Sequence, residues 1–72
     1  MTEKLFEKVK NFMLKHVSYD FLQEQKETMS EQELIDLCIE RSYDFAENDL
    51  SDDEICEVGK RLYMYLYNFM YI

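Results

Sequence analysis

Carboxylates are the side chains here with the most chemistry to offer, and they are unevenly placed. Residues 27–57 hold twelve acids against Arg41 alone, a net charge of −11, whereas residues 1–26 sum to +1 and residues 58–72 to +2. Clustered acids can act as general acid and base, hold a hard cation, or present a phosphate-like array of charge. Acid–base work needs a concave pocket, and short helices offer little room for one. A calcium loop needs a central Gly and a terminal Glu at set spacing, which the Asp-rich stretch around residues 47–54 lacks. Zinc needs about four Cys or His ligands, and the chain has only His16, Cys38 and Cys56, far apart in sequence. With Gly59 as its one glycine, it carries no Gly-rich phosphate loop. A Cys–His pair is formally available, but His16 is expected on the apolar face of the first helix, as a core or boundary residue. The residues therefore point away from catalysis, with no cofactor and no metal expected.

The third option fits the spacing. At about 100° per residue, Glu33, Asp36, Glu40, Asp44 and Glu47 fall within an arc of roughly 80° on a helix, stepping about 4.5–6 Å along its axis. Leu34, Ile35, Cys38, Ile39, Phe45 and Ala46 take the opposite side and are expected to face the core, with Leu37 and Tyr43 flanking the stripe. Asp49, Asp52 and Asp53 extend the negative field. Like charges at i,i+4, such as Asp36/Glu40 and Glu40/Asp44, destabilise a helix by a few tenths of a kcal/mol each. The sequence places no Lys on that face to relieve them. Such a row can occupy the Lys/Arg cleft of a nucleic-acid-binding protein, steered there by long-range attraction. The expected partner surface is thus Glu33, Asp36, Glu40, Asp44, Glu47, Asp49, Asp52 and Asp53. The expected partner is a basic nucleic-acid-binding protein. The alternative is a solvated face that keeps the protein soluble. A net charge of −8 disfavours nucleic acid itself and anionic membranes as direct partners.

The elements that must position these acids are helical. The chain has no Pro and one Gly, so little punctuates strands or hairpins. Ser30-Glu31-Gln32-Glu33 and Ser51-Asp52-Asp53-Glu54 both fit the capping box and open segments of roughly 31–47 and 52–71. The first helix runs from about Thr2 to Val17, with Phe6, Val9, Phe12, Met13, His16 and Val17 on one face. Asp20 would fall in the middle of that face, which predicts a break near 18–20. Breaks are also expected near 27–30 and 48–51. The expected fold is all-α, a small three-helix bundle with a possible fourth short helix near residues 20–27. Ser18-Tyr19-Asp20-Phe21 recurs as Ser42-Tyr43-Asp44-Phe45, a faint internal echo.

The segment opened at Ser51 carries two apolar stripes. Ile55, Val58, Leu62, Leu66 and Phe69 form one, and Cys56, Gly59, Tyr63, Tyr67 and Met70 the other, together an arc of about 200°. A helix of that kind sits centrally in the bundle or extends its apolar face into an interface. The second outcome would make Tyr63, Tyr67, Met70 and Tyr71 an oligomer surface. A homodimer is also conceivable through Lys4, Lys8 and Lys15 of the first helix meeting the acidic stripe of a second copy.

Seventy-two residues with eleven aromatics allow one domain with a real core, near the lower limit for folding without metals or disulfides. Met1-Thr2-Glu3-Lys4 leads into mixed charge, so no secretory leader is expected. Leu62 to Ile72 would be roughly 16 Å long as a helix, about half a bilayer core. A cytoplasmic location is expected, with Cys38 and Cys56 as reduced thiols. In size and charge the chain is similar to small acidic inhibitors: phage early proteins, anti-restriction and anti-CRISPR proteins, immunity proteins and antitoxins. That likeness of class, which rests on no shared motif, implies an inhibitor that neutralises a basic protein. The rival from another class is a helical homo-oligomer or adaptor working through the Tyr/Met-rich last segment.

Overall fold

Three serines set the helix starts. Ser18, Ser30 and Ser51 all hold extended backbone, and each hydroxyl accepts from an N–H three residues on: Phe21 at 3.2 Å, Glu33 at 3.2 Å and Glu54 at 3.3 Å. At the latter two the box closes, because the Ser30 N–H donates to Glu33 Oε1 (3.0 Å) and the Ser51 N–H to Glu54 Oε1 (2.9 Å). Two donors that a helix start leaves without partners are satisfied at each site.

The computed structural model describes residues 2–68. They form α1 (Thr2–His16), α2 (Tyr19–Thr28), α3 (Glu31–Phe45) and α4 (Asp52–Tyr63), and α4 runs directly into a π-helical turn over Met64–Asn68. Among the described residues there is no strand. The expected all-α bundle is present, and the short helix anticipated near 20–27 is a full element of ten residues. The break at 18–20 is a helix restart on Ser18. The internal echo does not repeat in structure. Ser18 caps a helix, whereas Ser42 lies fully buried inside α3 with its hydroxyl donating to the Cys38 carbonyl at 2.8 Å.

The core is built from Leu5, Phe6, Val9 and Met13 of α1, Leu22 of α2, Leu34 and Cys38 of α3, and Ile55, Val58, Leu62 and Tyr63 of α4, with Leu66 and Tyr67 from the π-turn. α4 is the central element, packed on α3 and α1, while the π-turn packs on α2. Gly59 explains how α4 comes so close to α3. A Cβ at that position would lie 2.6 Å from Ile39 Cα and 2.8 Å from Ile39 N, so the backbones meet where a side chain would separate them. Gly inside a helix costs about 1 kcal/mol relative to Ala, and the close packing offsets it.

Two expectations are corrected here. Tyr63 and Tyr67 do not form an oligomer surface: they are 7% and 0% exposed, with rings stacked at 5.8 Å. The i→i+5 geometry of the π-turn widens the helix, and Leu62, Tyr63, Leu66 and Tyr67 all reach the interior. The Tyr67 hydroxyl donates to Gln25 Oε1 (2.7 Å), and Lys26 Nζ donates to the Tyr67 carbonyl (2.9 Å), tying α2 to the turn. Met70 and Tyr71, the other interface candidates, lie outside the described residues. His16, expected on the apolar face, is exposed at the last residue of α1 with its ring 4.6 Å from that of Phe12.

Candidate functional site

α3 and the start of α4 position the acids. With Ser30 fixing where α3 begins and Leu34, Cys38 and Ser42 turned inward, the opposite side of the helix must face outward. All eight candidate residues, Glu33, Asp36, Glu40, Asp44, Glu47, Asp49, Asp52 and Asp53, are exposed. They do not form the single helical stripe that the spacing predicts. α3 ends at Phe45 with Ala46 as its C-cap, so Glu47 leaves the helix and its register. Only Glu33, Asp36, Glu40 and Asp44 share the face.

Nor are the members equivalent. Glu33 is engaged in the Ser30 capping box, and hydrogen bonds from the Ser30 backbone and side chain hold its carboxyl below the usual glutamate range. Asp36 accepts from the neutral amide of Gln32 at 2.9 Å. Asp44 lies 3.8 Å from Arg41, a base that the sequence reading left out of account at that face. Arg41 Nε is itself buried without a hydrogen-bond partner among the described residues. Glu47 lies 3.9 Å from Lys8, and together with Asp49 these side chains and Lys4 rim a shallow pocket floored by Leu5, Phe45 and Leu50. The Lys8 contact expected of a second copy is therefore made within the chain.

At α4 the acids serve the helix as well as the surface. Asp52, Asp53 and Glu54 occupy its first turn, where negative charge complements the helix dipole. Glu54 is taken up by the Ser51 box, which holds its carboxyl below the ordinary range in the same way as Glu33. Asp52 lies beside the Tyr43 hydroxyl at the seam between α3 and α4. Partial burial first, and then that carboxylate, raises the tyrosine above its ordinary value. The open part of the surface is thus Asp36 and Glu40 on α3, Tyr43 at the seam, and Asp49, Asp52 and Asp53 beyond it.

Elsewhere the groups with chemical potential are spent on structure. Burial pushes the Cys38 thiol up to about 12, which leaves it protonated and inert. Tyr63 is raised chiefly by burial, with a smaller contribution from Glu31. Among the described residues, no group of His, Cys, Asp and Glu is arranged to hold a metal ion, and no helix is long and apolar enough to cross a membrane.

The flank between α1 and α4 holds what sequence reasoning missed. Arg61 lies over the Phe6 ring, 4.2 Å from its centroid, and its Nη2 donates to Glu3 Oε2 at 3.0 Å. Lys10 donates to Glu7 (2.9 Å), a bond that raises its pKa, and stands 5.4 Å from the Tyr65 ring centroid. The local part of this pattern, Glu3 and Phe6 one helical turn apart, was visible in sequence; that α4 would bring Arg61 to it was not. No family model, curated protein or solved structure matches the chain.

Proposed function

We propose that this chain is a non-enzymatic inhibitor that mimics nucleic acid, using its acidic α3–α4 face to cover the binding surface of a basic DNA- or RNA-binding protein in the cytoplasm. One observation carries the reading. All eight candidate carboxylates are exposed, and among the described residues only Asp44 and Glu47 have an ion-pair partner. Glu33 is accounted for by its cap, and the first turn of α4 by the dipole. Asp36 has only the neutral Gln32 amide and Glu40 has no side-chain partner among the described residues, although the two acids sit one turn apart and repel. A basic cleft supplies what they lack, and its pull on a protein of net charge −8 speeds encounter.

The test uses a triple variant, Asp36→Asn/Glu40→Gln/Asp53→Asn, which spares both capping boxes. A partner is captured on the wild-type protein and identified, and its nucleic-acid complex is then titrated with either protein. Wild type displaces the nucleic acid. The triple variant associates more slowly by roughly an order of magnitude or more, with a shallower salt dependence. A partner that holds nucleic acid and this protein together, or binds the variant as well as wild type, overturns the proposal.

A further inference from the structure

The molecule grips one of its own arginines with a two-residue device on α1. Glu3 and Phe6 stand at i and i+3, so their side chains are neighbours on one face. Arg61 lays its guanidinium over the Phe6 ring at 4.2 Å and donates to the Glu3 carboxylate at 3.0 Å. Lysine is handled less closely. Lys10 Nζ stands 5.7 Å and 5.4 Å from the same Phe6 ring and from Tyr65.

The same pair recurs on α3. Glu40 and Tyr43 also stand at i and i+3, both exposed, with 44% of Tyr43 open to solvent. Among the described residues no cation lies over this ring and no base pairs with Glu40. A second carboxylate, Asp52, approaches the far edge of the ring from α4. We infer that Glu40 and Tyr43 form a receptor for an arginine side chain of a basic partner protein, whose guanidinium stacks on the ring and pairs with the carboxylate. A planar guanidinium satisfies both demands at once, whereas an ammonium is a compact, strongly hydrated point charge. The inference rests on the proposed function and sharpens it: the surface reads arginine in preference to lysine.

The test uses two capped peptides of equal charge, hexa-arginine and hexa-lysine, titrated into the full chain and followed by amide chemical shifts and calorimetry. Wild type binds hexa-arginine roughly two- to five-fold more tightly, the range of an exposed cation–π contact, with the largest shifts at residues 40–43. Tyr43→Leu binds both peptides alike, while Tyr43→Phe keeps the preference. Circular dichroism establishes that both variants are folded. Equal binding of the two peptides to wild type, or an arginine preference that survives Tyr43→Leu, overturns the receptor but leaves charge-driven mimicry standing. Binding of neither peptide overturns both readings.

Discussion

The α1–α4 flank and the outer face of α3 use charge in opposite ways. On the flank, Arg61 joins Glu3 to Phe6 across two helices, and Lys10 joins Glu7 to the neighbouring rings. Both of these bases have an acid and an aromatic, and the contacts hold elements together. On α3, Asp36 and Glu40 repel across one turn, and among the described residues no cation joins them to another element. The flank is half-buried around Phe6, whereas the outer face of α3 is exposed. The flank's charges are committed to the fold, whereas Asp36 and Glu40 have no ion-pair partner among the described residues.

The largest expected effect tests whether α4 and the π-turn that continues it face inward along their described length. Tyr67 is fully buried and its hydroxyl reaches Gln25. Tyr67→Glu would bury an unpaired charge, costing roughly 3 kcal/mol or more, a large fraction of the stability of so small a domain. The variant is expected to lose its helical circular dichroism and its cooperative melt. A folded Tyr67→Glu protein with altered sedimentation would instead place the tyrosine in an interface between copies, and the inward reading of α4 would fall.

An effect of intermediate size separates acids that serve the fold from acids that do not. Glu33 and Glu54 have carboxyls held below the ordinary value by Ser30 and Ser51. A depressed folded-state pKa means that their stabilisation is fully present above the unfolded value, about 4.3 for glutamate. It is lost as pH falls through the lower folded-state values. The double variant Glu33→Ala/Glu54→Ala should therefore melt below wild type at pH 7, and the gap should close as pH falls below about 4.3. Protonating Asp36, Glu40 and Asp44 relieves their mutual repulsion alike in both proteins, and the Glu33–Asp36 repulsion, absent from the variant, adds a smaller change in the opposite direction. A gap that widens in acid would show that the boxes do not depend on ionised glutamate.

What the sequence made legible follows the range of the interactions involved. Ser30/Glu33 and Ser51/Glu54 are local pairs, read directly from a four-residue pattern, and Asp20 marked the restart at Ser18 through a conflict of periodicity. The eight acids could be placed on the surface because charge seldom lies elsewhere. Their partners could not be read. Glu47 leaves the stripe because α3 stops at Phe45, and Lys8 reaches it only through the packing of α1. Gly59 was visible as the lone glycine in a helix, but Ile39, the residue it makes room for, is fixed by the crossing of two helices. Tyr63 and Tyr67 were open in sequence to either a central position or a surface for a second copy, and the choice is made by α4 packing on α3 and α1 and the π-turn packing on α2. Each of these points turns on where an element ends or on an interaction between distant segments.

The smallest expected effect bears most directly on the contrast between the two faces. Arg61→Gln removes one charge from a half-buried flank, and Glu40→Gln removes one from an exposed helix face. On the flank, the change forfeits a cation–π contact and an ion pair, together roughly 1 kcal/mol, or about 4–8 °C in melting temperature for a domain of this size. On α3, Glu40→Gln removes a repulsion with Asp36 and Asp44, so stability should hold or rise by a few tenths of a kcal/mol. Added salt should shrink that gain, because repulsion between exposed charges is screened within roughly 8 Å at physiological ionic strength. Urea denaturation of both variants at low and high salt measures the two differences side by side. If Glu40→Gln costs as much as Arg61→Gln, the α3 acid has a structural role, and the case that its charge is held for a partner is lost. If it costs nothing while Arg61→Gln destabilises, the two faces divide the labour as their geometry implies: one closes the bundle, and the other is maintained against the interest of the fold.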